Sequence, residues 1–234
     1  MGGHPSVYPG YQLVADKRTQ EKFEEAWGAK LPVQAGLSAS DMIAAANKGS
    51  LKALFILGEN SWPDDYGVSI RRSLEKCEFL VLCEVLSSEM SHYADVLLPG
   101  VSFAESTGTY TTAERRIQMV RQGIQPQGDS KPEWQVLSEL ARRILSQGGR
   151  HLSDSVFAGW NYGGTHEIMN EIAALTPIYA GVSYERLERG ESLMWPVENA
   201  EHPKTEILYL SQFARGRGRF MPVGEHSAAS QKKS

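Results

Sequence analysis

Three short apolar runs stand out from an otherwise amphipathic chain: LKALFILGEN (51–60), CEFLVLCEV (77–85) and ADVLLP (94–99). Each breaks off abruptly into polar or glycine-bearing sequence. The first ends in Gly58, Glu59 and Asn60, the second in Glu84 with Ser87, Ser88 and Glu89, and the third in Pro99 and Gly100. Continuous apolar runs of this length suit parallel strands buried on both faces, where a half-buried strand would alternate. Residues 68–76 can form a short helix, so strand, helix and strand recur at crossover spacing. The pattern predicts an α/β fold: a Rossmann-like half of a doubly wound, mostly parallel sheet, followed by a mixed helical and β segment.

Helical periodicity marks the rest. Residues 17–27 carry Phe23 and Trp27 four apart, and 40–48 form a second helix capped near Ser38 or Ser40 and stopped at Gly49. Residues 132–145 begin with Pro132 and Glu133 in the first turn and place Trp134, Leu137, Leu140, Ala141 and Ile144 on one face. Further helices are expected at 165–175 and 183–189, the latter ended by Gly190. Short β-segments are expected at 109–112 and 116–120, and FARGRGRFMPV (213–223) reads as a strand leading out. These elements divide the chain into an extended Gly-, Pro- and Tyr-rich lead-in (1–15) resembling a piece of something longer, a nucleotide-fold half (16–108), a mixed segment (109–223) and a disordered tail (224–234).

Composition narrows the function. With 234 residues, 41% hydrophobic and 22% charged, the chain can bury a core. A net charge of -4 gives no general attraction to nucleic acid. No apolar run reaches membrane-spanning length and MGGHPSVYPGYQ lacks the features of a signal peptide, so the expected address is the cytoplasm. Cys77 and Cys83 are read as buried thiols, too few for a disulfide framework or an iron–sulfur cluster. HEIMN (166–170) lacks the second histidine of a zinc protease, His92 and Asp95 have no nucleophile elbow beside them, and no phosphate-binding glycine loop occurs. Arg115 and Arg116 are read as ion-pair partners of Glu105 or Glu114. No catalytic residue and no metal ligand is therefore assigned.

What remains is the set of strand exits. Loops at the carboxyl ends of parallel strands face a common crevice, and small residues there let backbone approach a ligand closely. Four motifs, GEN (58–60), ADVLLP (94–99), FAESTGTYTTAERRIQ (103–118) and KPEWQVLSELARRI (131–144), follow in that order. Together they resemble the molybdopterin oxidoreductase family, and within it the catalytic alpha subunit of formate dehydrogenases. A similar MGG and YPGYQ lead-in and a similar GRG, Phe and Pro-Val exit extend the likeness over nearly all of 1–223.

The resemblance implies a half-domain holding one molybdopterin guanine dinucleotide of the pair that carries molybdenum or tungsten, in an enzyme oxidising formate to carbon dioxide or running the reverse. It also implies that the iron–sulfur cysteines, the metal-ligating Cys or selenocysteine and the catalytic His lie upstream or in a partner, and that a C-terminal barrel lies downstream. The partners would be the remaining segments or subunits of a formate dehydrogenase complex, and the chain would not be catalytic alone. The implied cofactor-binding set is Gly58, Glu59, Asn60, Cys83, Glu84, Ser88, Pro99, Gly100, Gly108 and Glu133.

The residue chemistry suits a guanine nucleotide. Guanine shows two adjacent donors on its Watson–Crick edge, which a carboxylate accepts as a fork; Glu84 at a strand exit and Glu133 at a helix start are placed for this. A turn at Gly58 would aim main-chain N–H groups at diphosphate or ribose, and Asn60 and Ser88 could bond sugar hydroxyls or phosphate oxygens. Gly100 would permit close approach and Gly108 would serve a turn. This chain has Cys83-Glu84 where similar formate dehydrogenases carry Gln-Asp, and Ser88 where they carry Thr. Those departures motivate an alternative, a cofactor-free scaffold similar to the molybdopterin-like domain of the large iron–sulfur subunit of respiratory complex I. A free-standing nucleotide binder is a third possibility.

Overall fold

The computed structural model describes residues 4–58, 67–148, 159–201 and 208. It begins with an antiparallel hairpin of β1 (Val7–Tyr8) and β2 (Gln12–Leu13), joined by a 3-10 turn in which Gly10 has φ +76°. Helix α1 (Lys17–Trp27) starts where the Asp16 carboxylate accepts the Arg18 N–H at 3.2 Å, and it ends on left-handed Gly28. Helix α2 (Ala39–Asn47) is capped by Ser38, whose hydroxyl accepts the Asp41 N–H at 3.2 Å.

The three apolar runs become β3 (Ala53–Leu57), β4 (Phe79–Glu84) and β5 (Val96–Pro99), with α3 (Gly67–Lys76) crossing over between the first two. They form a parallel sheet in the order β3-β4-β5, as expected of an α/β fold. The order runs in one direction, as in one half of a doubly wound sheet. Register places Ile56 beside Leu82. These side chains pack with Leu80 against Ile43 of α2 and Ile70 and Leu74 of α3. The Ser73 hydroxyl donates to the Ile43 carbonyl at 3.1 Å and locks the two helices together. At the start of β5, Asp95 exchanges two hydrogen bonds with the Leu80 backbone, at 2.7 and 2.9 Å, fixing the β4–β5 register.

Burial departs from expectation. Only β4 is buried along nearly its whole length, whereas β3 buries Ile56 alone and leaves Ala53 and Leu57 exposed, and β5 exposes Leu97. Ile56 points to the face that α2 and α3 cover, whereas Ala53 and Leu57 alternate to the opposite face of β3, so a continuous apolar run does not translate into burial on both faces.

A second sheet is antiparallel: β6 (Gly108–Thr111), β7 (Arg116–Val120) and β8 (Leu193–Met194), in that order. Helix α4 (Glu133–Gln147) precedes α5 (Thr165–Leu175) and the short α6 (Tyr184–Glu188). Ile117 and Leu193 face each other across β7 and β8 and bury with Met169, Val182, Trp195 and Val197. The two-residue β8 carries no readable pattern in the sequence.

The lead-in is folded, not merely extended. Tyr8 stacks on Phe23 with ring centroids 4.8 Å apart, and Phe23, Ala26 and Leu175 form a core. Gln12 and Lys22 both donate to the Leu175 carbonyl, at 3.0 and 2.8 Å, so the first helix is held by the end of α5. The strand expected at 213–223 and the tail at 224–234 lie outside the described residues.

Candidate functional site

Parallel pairing brings the carboxyl tips of β3, β4 and β5 into one edge. Leu57 lies opposite Cys83 and Glu84 opposite Pro99. The Gly58 N–H donates to the Cys83 carbonyl and the Gly100 N–H to the Glu84 carbonyl, each at 2.9 Å. Gly58, Cys83, Glu84, Pro99 and Gly100 are thus neighbours, while Glu59 and Asn60 lie outside the described residues. Both glycine amides complete the ladder, so neither is free to face a phosphate. Gly58 itself adopts φ +64°, a left-handed conformation that suits glycine, and nothing stands within 4 Å of where its side chain would be.

Glu133 is brought to the same edge by α4. The Lys131 N–H donates to the Pro99 carbonyl at 3.1 Å, tying the approach to α4 onto the tip of β5. A Cβ at Gly100 would stand 3.4 Å from Glu133 Oε1 and 3.4 Å from the Glu84 carbonyl group, so the missing side chain leaves the gap through which the carboxylate reaches. The Cys83 thiol, fully buried, is pushed up in pKa by burial first and by the nearby Glu133 charge second. Among the described residues no hydrogen bond reaches the Glu133 carboxylate. It sits at the positive end of α4, which favours its charge.

Glu84 has a different setting. The residue is only 8% exposed, and its carboxylate is enclosed by its own loop. Oε1 accepts the Ser88 N–H at 3.2 Å and the Ser91 hydroxyl, and Oε2 accepts the Ser88 hydroxyl at 2.8 Å. These bonds fold the turn at Glu89–Tyr93 back onto the tip of β4. Ser88, read from sequence as a sugar or phosphate contact, therefore donates to Glu84. Gly108 opens β6 opposite Val120 and makes no turn.

A third carboxylate, absent from the set read off the sequence, organises the loop beyond β5. Glu105 is 7% exposed; it accepts the Ser102 N–H and hydroxyl at 2.8 Å each and the Gln127 N–H at 3.1 Å. The Ser102 N–H above all, then the Ser102 hydroxyl, holds its pKa below the usual carboxylate range. The signal that could have found it is the Ser-x-x-Glu spacing of 102–105, a capping box. Arg115 and Arg116 do not serve it: Arg115 donates to the Trp195 carbonyl at 2.8 Å and Arg116 to the Ser192 hydroxyl.

Exposed apolar side chains rim the edge, among them Leu57, Val85, Leu86 and Phe103. Among the described residues no group of three His, Cys, Asp or Glu could hold a metal ion, and no helix is long and apolar enough to cross a membrane.

Comparison with known proteins bears on this edge. A family model described as molybdopterin oxidoreductase matches residues 11–143. A Bacillus subtilis (strain 168) protein named "Probable oxidoreductase YjgC" is 38% identical over 214 residues, covering 91% of this chain and 20% of that protein. A Staphylococcus haemolyticus (strain JCSC1435) protein named "Putative formate dehydrogenase SH0748" is 37% identical over 228 residues, covering 95% of this chain and 22% of that protein. The chain thus spans about a fifth of the length of these relatives. Among solved structures, acetylene hydratase from Pelobacter acetylenicus shares the fold, with a TM-score of 0.50 at 19% identity over 76% of this chain and 24% of that one.

Proposed function

Because the chain belongs to the molybdopterin oxidoreductase family, we propose that its strand tips hold the guanine end of one molybdopterin guanine dinucleotide, in a formate dehydrogenase-like enzyme interconverting formate and carbon dioxide. The name of the Staphylococcus haemolyticus relative supports the substrate, and the relatives' length supports the view that this chain works as one part of a larger assembly. When bound, the molybdenum or tungsten centre supplies the two-electron chemistry. The residues of this chain bind and orient; none is assigned to the reacting atoms, and any iron–sulfur cluster belongs to other segments.

The observation that carries the reading is the Glu133 carboxylate, poised over the tips of β4 and β5 without a hydrogen-bond donor among the described residues. Guanine N1–H and N2–H can both donate to it, and charge-assisted forks are strong enough to select guanine over adenine. Glu84 then has a supporting role: it holds the 85–91 loop, leaving the Ser88 hydroxyl oxygen able to accept as well as donate. Gly100 leaves room for Glu133.

Titration of the chain with GMP, IMP and AMP tests this. GMP is expected to bind best, IMP less well for lack of the 2-amino group, and AMP least. Glu133→Gln should weaken GMP by about ten-fold or more, since a hydrogen bond to a charged group contributes roughly 1.5–3 kcal/mol. Equal binding of GMP and AMP, or an unaffected Glu133→Gln variant, would move the nucleotide away from this residue.

The enclosure of Glu84 by Ser88 and Ser91 favours a second reading, a cofactor-free scaffold in which side chains fill the place of a ligand. Elemental analysis and pterin extraction of a complex containing the chain decide between them: molybdenum or tungsten with pterin supports the first, and their joint absence the second.

A further inference from the structure

A second concavity, built from other elements, lies between the end of α1 and the segment entering α5. Trp27, Leu31, Trp160 and Tyr162 wall a cleft of about 430 Å³, within the range of small-ligand sites. Its polar feature is Glu171, which also lines the cleft and is 9% exposed. Oε1 accepts the Trp27 indole N–H at 2.8 Å and Oε2 accepts the Tyr162 hydroxyl at 2.7 Å. Acceptance on both oxygens is the pattern of an ionised carboxylate, and both donors are neutral. None of the ion pairs among the described residues includes Glu171. A buried carboxylate served only by neutral donors has no partner cation among the described residues, the arrangement in which a bound cation can add most.

The walls add to this. Trp160 is held at φ +70°, directly after Gly159 at φ +56°, and it remains 39% exposed. A bulky residue in the left-handed region is an outlier that persists where surrounding structure imposes it, and such outliers cluster at ligand sites. Aromatic faces attract cations through their quadrupole but offer no strong acceptors. With each Glu171 oxygen already holding one donor, the cleft suits a weakly hydrated cation better than a compact primary ammonium that seeks several acceptors.

From this arrangement we infer that the Trp27–Trp160–Tyr162 cleft, floored by Glu171, is a binding site for a soft organic monocation of the quaternary ammonium or guanidinium type. Such a group reaches it either as a free small molecule or as an arginine side chain of a polypeptide. Tryptophan fluorescence of the full chain, titrated with choline, with its uncharged isostere 3,3-dimethyl-1-butanol and with N-acetyl-argininamide, tests the assignment.

At least one cation is expected to bind saturably and about ten-fold or more tighter than the neutral alcohol, in keeping with a desolvated cation–π site. Tighter choline indicates a free quaternary ammonium source, and tighter argininamide a polypeptide one. Trp160→Ala, at an exposed position, and Glu171→Gln should each weaken that binding by a similar factor, with folding checked by near-UV circular dichroism. If Trp160→Ala does not fold, the choline-to-alcohol ratio and Glu171→Gln carry the test. Equal affinity for choline and its isostere, or no saturable response to either cation at tens of millimolar, would overturn the inference.

Discussion

Three carboxylates near the strand tips have three different fates, set by who donates to them. Glu105 takes three protein donors, Glu84 is closed by two serines of its own loop, and Glu133 takes no donor among the described residues. The first two stabilise loops, and the last is the one we propose for the nucleotide. Because the Ser102 bonds hold the Glu105 pKa below its ordinary 4.5, its contribution to stability is complete above that value. It is lost as pH falls through the lowered native value. Urea unfolding midpoints followed from pH 7 to pH 3 should therefore drop less steeply on the acid side for Glu105→Gln than for the unaltered chain. Parallel acid limbs would show that Glu105 is not held as described.

At the scale of elements, apolar runs with abrupt polar exits were enough to find β3, β4 and β5 and the convergence of their tips, because parallel pairing of adjacent strands leaves little freedom in where the exits go. Helices 17–27 and 165–175 were equally readable, since caps and periodicity are local. The hairpin of β1 and β2 and the two-residue β8 were not: the hairpin strands are two residues each, too short for a period to show, and β8 exists only by pairing with β7, more than seventy positions away. The enclosure of Glu84 was hidden for a related reason: Ser88 and Ser91 could equally have faced solvent or a ligand, and only the path of the turn decides. Gly10 illustrates what holds the hairpin. With φ +76°, an added Cβ would stand 2.4 Å from Thr176 Cγ2. Gly10→Ala is expected to lower stability by at least the ~1–2 kcal/mol of forcing a side chain into the left-handed region. Thermal unfolding by circular dichroism checks this, and an unchanged midpoint would mean the hairpin undocks freely.

On the scale of the whole molecule, side chains of α1 are tied to α5, far away in the sequence. Phe23 is fully buried against Leu175, and Trp27 donates to Glu171. Phe23→Ala should cost about 3–5 kcal/mol, the range for truncating a buried aromatic, measured from denaturant midpoints. The same variant should perturb the near-UV signal of Trp160, across the cleft that α1 helps to wall. Loss of stability without that spectral change would show the cleft to be independent of α1.

The anchoring of Lys22 and Phe23 on Leu175 also sets an order of events at the ribosome. The apolar face of α1 emerges long before its cover: at ordinary elongation rates the wait for roughly 150 further residues is about 8–30 s. During that interval Phe23 and Trp27 are uncovered and open to capture by chaperones or by neighbouring nascent chains. The parallel sheet between them can pair meanwhile, so residues 53–99 are expected to become protease-resistant before residues 17–27 do.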